Sequence, residues 1–322
     1  MRLRLFILTF GLLLVVACSQ PPQKDKIPVI FDTDANNELD DQHALAYLIF
    51  NDDLFDVKGV TTNRTWNGGP VEEHTKEARR IVKLCHTEGK FPVISGANGY
   101  YDSIRPYLDD MEYDGKAAVD LIIKTAHSMP EGEKLLLLPT GKLTNIALAL
   151  TKDPAIVQKA RVVWLGSNWP GPGEYNMVND TSAVNPVIES GVELWVCTVR
   201  GGTMEVKTSK TEIRERLTGK GKETEPITGR HGGEFTRLGD YLVNLWENVG
   251  QEYRSLFDMA AVATVKNPGW AEDTLVYEPR LVDGEWITGE GRSDSVIFFR
   301  NYDVEAVMED FWKIMGRIDS IA

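Results

Sequence analysis

Between residue 27 and about residue 200, short apolar runs alternate with amphipathic ones, and few folds tolerate that pattern. "PVIFD", "DVKGVTT", "FPVIS", "KLLLLPT", "RVVWLG" and "VELWVCTV" are β-branched or Leu-rich and end in polar or Gly-containing turns. Between them, "LDDQHALAYLIF", "PVEEHTKEARRIVKLC", "DGKAAVDLIIKTAHSM" and "LTNIALALTKD" carry helical spacing. Near-continuous apolar strands alternating with helices predict a mostly parallel, doubly wound (Rossmann-like) α/β sheet with helices on both faces. Ligands of such sheets gather beyond the carboxyl ends of the strands. Polar residues follow the runs there: Asp32 and Asp34, Thr61 to Asn67, Thr140, and Gly166 to Asn168. From 200 to 270 the pattern is helical, interrupted by the polar, Gly-rich "TGKGKETEPITGRHGGEF". "DTLVYEPRLVDGEWITGEG" followed by "SDSVIFFRN" reads as an edge hairpin, and "VEAVMEDFWKIMGRI" as a closing helix. No repeat and no long linker divides the chain, so residues 27–322 are expected to form a single domain.

The N-terminus reads as targeting rather than fold. "MRLRLFILTFGLLLVVACSQ" has Arg2 and Arg4, an apolar stretch from Leu5 to Ala17, and then Cys18. A basic start, a short apolar core and a small residue at the cut site make a secretory signal, here residues 1–17. The core is too short for a comfortable membrane span. "VVAC" resembles a bacterial lipobox, which implies a lipid on Cys18, a polar tether over 18–26, and an exported protein held to the membrane only by that lipid. Cys85 and Cys197 sit in apolar contexts and read as two unpaired core cysteines.

Lys+Arg 35 against Asp+Glu 48 gives a net charge of −13, which excludes a nucleic-acid groove, because such a groove needs a basic stripe. The acidic residues crowd at one place. In "IPVIFDTDANNELDDQHALAYLI", Asp32 and Asp34 end a strand and Asp40 and Asp41 open the next helix. Helix N-termini favour carboxylates, so one aspartate there is explained as a cap. Four at one strand–helix junction are not. Converging hard oxygen ligands suit a divalent cation, Ca²⁺ in particular. The histidines His43, His74, His86, His127 and His231 show no paired zinc spacing. A strand ending in D-x-D also occurs in aspartyl-phosphate phosphatases, but those want a hydroxyl where Asn36 stands and give the Asp40–Asp41 pair no role.

These residues resemble the inosine–uridine-preferring nucleoside hydrolases. "DTDANNELDD" matches that family's opening D-T-D-P-G-x-D-D with a loop two residues longer. "LLLLPTGKLTNIALAL" is similar to its P-T-G-x-L-T-N segment. "GSNWPGPGEYNMVND" keeps an Asn six residues before an E-F/Y-N triplet, and "FDMAAVATV" matches the aspartate that starts a late helix. The resemblance implies that Asp34, Asp41, the Thr140 carbonyl and Asp258 hold one Ca²⁺. It implies that Asp40, Asn176 and Asp258 contact the ribose 2′- and 3′-hydroxyls, and Asn168 and Glu174 the 5′-hydroxyl. Asp34 is the implied general base, with Asp32 behind it. An asparagine after the second strand, Asn67 in preference to Asn63, is implied to position the water. The implied substrate is a small nucleoside, and family members are often dimers or tetramers, so a homo-oligomer is expected.

Two features depart from the family. A His precedes the late aspartate in well-studied members and protonates the departing base; here Phe257 stands there. His231, in a Gly-flanked loop, is one candidate replacement. Trp169, beside Asn168, is a candidate for stacking on a planar base. The lengthened "ANNEL" loop is the other departure, and it bears on the ribose pocket. Without an acid, the chain also reads as a non-catalytic ribose- or nucleoside-binding lipoprotein.

Overall fold

The computed structural model describes residues 26–291 and 293–320, so the signal and nearly all of the tether lie outside the described residues. The six apolar runs become β1 (Ile27–Thr33), β2 (Phe55–Thr62), β3 (Val93–Ser95), β4 (Leu135–Pro139), β5 (Ala160–Leu165) and β6 (Glu193–Cys197). With Ser295–Arg300 and Glu272–Tyr277 they form one eight-stranded sheet. Its order is Glu272–Tyr277, Ser295–Arg300, β6, β5, β4, β1, β2, β3. Every neighbouring pair is parallel except the outermost, where Glu272–Tyr277 runs antiparallel to Ser295–Arg300.

The sheet is apolar on both faces because each strand feeds two cores. In β4, Leu136 and Leu138 enter one core while Leu135 and Leu137 enter the other. This is the strand period of two with both faces covered. One core holds the helices α1 (Asp40–Phe50) and α2 (Val71–Leu84), together with helices Leu238–Glu247, Phe257–Lys266 and Val304–Met315. The other holds Lys116–His127, Thr144–Lys152 and Val184–Glu189. Cys85 and Cys197 are buried free thiols.

α1 departs from the amphipathic helix its sequence suggests: all of its residues are buried. A helix covered on every side is a core element. Its outer face is closed by the Phe257–Lys266 and Val304–Met315 helices. At its far end, Lys266 Nζ donates to Asn51 Oδ1 at 2.6 Å and pairs with Asp310 at 2.7 Å, and the Tyr47 hydroxyl also donates to Asp310. Burying Leu45, Leu48 and Phe50 stabilises this packing by roughly 1.5–3 kcal/mol each. The helix that carries Asp40 and Asp41 is therefore fixed against the helix that carries Asp258.

The late edge hairpin is only partly as expected. Glu272–Tyr277 and Ser295–Arg300 do pair, but Ser295–Arg300 also inserts parallel to β6 and so lies inside the sheet. Between them a separate hairpin, Pro279–Val282 with Glu285–Thr288, turns at Asp283–Gly284, both at positive φ. An Asp-Gly pair is suited to that turn.

From β1 the chain steps to β2 and β3 on one side, and from β4 to β5 and β6 on the other. The sheet order reverses between β1 and β4, which opens a crevice at their carboxyl ends.

Candidate active site

The last residues of β1 divide their side chains between the two faces. Asp32 turns toward the Thr144–Lys152 helix and accepts from Thr61 Oγ1 at 2.6 Å, Asn145 Nδ2 at 2.7 Å and Asn63 Nδ2 at 3.0 Å. Burial pushes its carboxyl up to about 6 despite those three donors. Thr33 turns the other way, and its hydroxyl donates to Asp41. Asp34, the first residue past the strand, accepts from Thr65 Oγ1 at 2.5 Å on Oδ2. Asp40 and Asp41 occupy the first turn of α1, and Asp258 the first turn of Phe257–Lys266. One carboxylate oxygen from each of Asp40, Asp41 and Asp258 lies within 4.8 Å of the other two. Thr140, just beyond β4, sets its hydroxyl 3.3 Å from Asp41 Oδ1.

All five aspartates are buried, and among the described residues none of them is in an ion pair. Burial, then the Asp41 charge, pushes Asp34 well above the ordinary carboxylate range. Burial and Asp41 push Asp40 up to about 7. Burial, then Asp40 and Asp41, raise Asp258 strongly, and burial raises Asp41 against the Thr33 hydroxyl. Two helix N-termini converge here, but a helix end offsets only about 0.3–2 kcal/mol per carboxylate. Uncompensated buried charges cost far more than that. The donor set is all oxygen, hard and anionic, and fits a divalent cation.

The aspartates form the base of a cleft of about 300 Å³. Asn168, Glu174 and Asn176 also line it. The rest of the lining is Asn37, Glu38, Leu165, Tyr175, Val199 and Phe257. Glu38 is paired with the Arg254 guanidinium.

The sequence matches the family described as inosine-uridine preferring nucleoside hydrolase over residues 29–309. The chain belongs to that family. Among curated relatives, it is 29% identical over 196 residues to the pyrimidine-specific ribonucleoside hydrolase RihA of Citrobacter koseri, covering 52% of this chain and 58% of that protein. It is 28% identical over 194 residues to the non-specific ribonucleoside hydrolase RihC of Klebsiella pneumoniae, covering 53% and 61%. The matches thus span about three fifths of those relatives' length. The inosine-uridine preferring nucleoside hydrolase from Bacillus anthracis superposes with a TM-score of 0.67 at 19% identity, over 91% of this chain and 100% of that one. A plant nucleoside hydrolase gives 0.70 at 18% identity, over 91% and 99%. The fold is that of the nucleoside hydrolases.

Other residues singled out from the nucleoside hydrolase resemblance fall in several places. Asn176 Nδ2 donates to the Thr140 carbonyl at 2.9 Å and to the Leu165 carbonyl at 3.1 Å, tying the β4 and β5 ends together. Glu174 caps the short helix Tyr175–Asn179, accepting from Asn176 N at 2.9 Å and Met177 N at 3.0 Å, and also from Ser167 N at 2.9 Å. Asn168 Oδ1 accepts from Arg200 N at 3.0 Å, and its amide donates to the Gly173 carbonyl.

Three placements correct the sequence reading. The asparagine brought to the carboxylates is Asn63, buried and bonded to Asp32; Asn67 is exposed and meets Tyr175 Oη only through its backbone N–H, at 3.1 Å. Asn63 directly follows β2 and donates its N–H to the Thr33 carbonyl, whereas three further residues carry the chain out to the rim. Trp169 does not line the cleft: its ring stacks on Phe298 at 4.6 Å, against the opposite core. His231 lies in a neighbouring hollow with Arg80, Arg230 and Asn36. Arg230 Nε donates to its Nε2 at 3.1 Å, and partial burial with the adjacent guanidinium lowers its pKa. Sequence reading missed Thr33, Thr65 and Asn145, whose donors orient the aspartates. The density of Thr and Asn at the strand ends was the available signal.

Proposed function

We propose that the protein is a Ca²⁺-dependent N-ribosyl hydrolase that cleaves ribonucleosides, or a close ribosyl relative, to ribose and free base. We further propose that it is exported and anchored by a lipid on Cys18. The carrying observation is the cluster of Asp40, Asp41 and Asp258, with Asp34 lining the same cleft at the sheet's switch point, all buried and without ion-pair partners among the described residues. Family membership and the ribonucleoside hydrolases among its relatives support the same chemistry.

Asp34, Asp41, the Thr140 carbonyl and Asp258 would hold the calcium. When bound, calcium supplies a fixed positive charge that offsets the carboxylates, grips a sugar diol and acidifies water. Asp34 acts as general base: Thr65 fixes Oδ2, and Oδ1, with no side-chain donor among the described residues, takes the proton of the attacking water. Asn63, with Asp32, sits behind that base in place of Asn67. Asp40 and Asn176 orient the 2′- and 3′-hydroxyls, and Asn168 and Glu174 the 5′-hydroxyl. The glycosidic bond breaks through an oxocarbenium-like sugar, whose developing charge the surrounding carboxylates favour.

A second reading, a ribose- or nucleoside-binding lipoprotein without turnover, is favoured by Phe257 in the cleft and His231 outside it. Turnover of inosine, uridine and p-nitrophenyl riboside decides between them. The nitrophenyl leaving group needs little protonation, so its hydrolysis reports the carboxylate half alone. We expect hydrolysis of at least this riboside, and Asp34→Ala to reduce it by about 10²–10⁴-fold, the usual contribution of a general base. Binding of all three with turnover of none would establish the binding protein instead.

A further inference from the structure

We propose that the preferred substrates are ribosides whose leaving nitrogen already carries the positive charge, such as N-ribosyl pyridinium compounds or N7-alkylated purine nucleosides. This rests on the hydrolase reading above and names its substrate class. Two properties of the cleft carry it.

The first is the lack of a proton donor for a departing base. Among the described residues, no His, Lys, Arg or Cys lines the cleft. Phe257, Leu165 and Val199 make part of its wall apolar. Outside the aspartates assigned to the metal and the ribose, the side chains there that could offer a proton are already engaged. Tyr175 Oη accepts from the Asn67 N–H at 3.1 Å and donates to Asn37 Oδ1 at 3.4 Å. Glu38 is paired with Arg254, and both Glu174 oxygens accept backbone N–H groups. His231 is turned into the neighbouring hollow against Arg230.

The second property is the charge of the lining. Asp34, Asp40, Asp41, Glu174 and Asp258 line the cleft with no ion-pair partner among the described residues, and Glu38 is offset by Arg254, so the acidic groups outnumber the two charges of one divalent cation. Such a cleft attracts a cationic ligand.

The chemistry distinguishes the substrates. In hydrolysis, the water oxygen bonds to C1′, one water proton goes to Asp34, and the C1′–N electron pair stays on nitrogen. A neutral purine then leaves as an anion and needs a proton that this cleft does not offer. A pyridinium leaves as a neutral pyridine, and an N7-methylpurine as a neutral base, with no proton added. The site as built completes the reaction for leaving groups that need no added proton, and among N-ribosides that is the cationic class.

The test uses the calcium-loaded protein with inosine, 7-methylinosine, N-ribosyl nicotinamide and p-nitrophenyl riboside. We expect kcat/KM for 7-methylinosine to exceed that for inosine by at least about 10²-fold, the size of an absent general acid. N-ribosyl nicotinamide should be hydrolysed with a lower KM than the neutral nitrophenyl riboside. In Phe257→His the ratio of 7-methylinosine to inosine should shrink by about tenfold or more. Hydrolysis of the nitrophenyl riboside, with inosine within about tenfold of its 7-methyl derivative, would overturn this proposal and leave the hydrolase reading intact. Turnover of none of the four would overturn both.

Discussion

Thr65 decides how Asp34 presents itself. A hydrogen bond to a charged group contributes about 1.5–3 kcal/mol. Removing it frees the base to rotate, so Thr65→Val should lower kcat by about 10–100-fold while calcium affinity stays within a few-fold, which parallel kinetics and calcium titration would check. The carboxylates also set a pH dependence with a definite sign. Asp40 is raised from 3.8 to about 7, and Asp32 from 3.8 to about 6. Within those windows the folded chain holds more protons than the unfolded one, so stability falls as pH rises. Without metal, the melting temperature should drop between about pH 5 and pH 7.5, and excess calcium beside these carboxylates should reduce that drop. A metal-free protein that grows more stable across this interval would contradict the unpaired state of the cluster. At this scale the aspartates were legible, because four carboxylates at one junction have few other uses. Their orienting partners were not: Thr65 and Asn145 arrive from other segments, and nothing local in sequence ties them to Asp34 or Asp32.

Among the elements, α1 connects stability to chemistry. Its first turn carries Asp40 and Asp41, and its body is clamped between the sheet and the Phe257–Lys266 helix. His43, one turn in, is held in a single tautomer. The Trp246 indole N–H can only donate and lies 3.2 Å from Nε2, so Nδ1 carries the proton toward the Leu39 carbonyl at 2.7 Å. Burial lowers its pKa to about 4, which keeps the ring neutral beside the carboxylates. Leu45→Ala should cost about 2–5 kcal/mol of stability, as for other buried leucines. It should also weaken calcium binding, because the helix carries two of the aspartates; thermal melting and calcium titration would read the two effects separately. The apolar sequence of α1 made it a helix on paper but did not say that every side would be covered. That cover comes from helices more than two hundred residues later in the chain.

At the scale of the molecule, the six strands from residue 27 to 200 and their mostly parallel pairing followed from composition and alternation alone, but their order in the sheet did not. The insertion of Ser295–Arg300 beside β6 did not, because a parallel neighbour distant in sequence leaves no local mark while its hairpin partner does. The same limit explains Trp169: its place next to Asn168 suggested the cleft, but its ring packs on Phe298, more than a hundred residues away in the chain. Three separated segments, the end of β1, the start of α1 and the start of Phe257–Lys266, meet only in the finished fold. The most direct test of that meeting is calorimetric calcium titration of chelator-stripped protein, followed by riboside hydrolysis at each point. One equivalent should bind and restore activity in proportion, with binding lost in Asp258→Ala. Full activity in stripped protein, or unchanged calcium binding by Asp258→Ala, would contradict it.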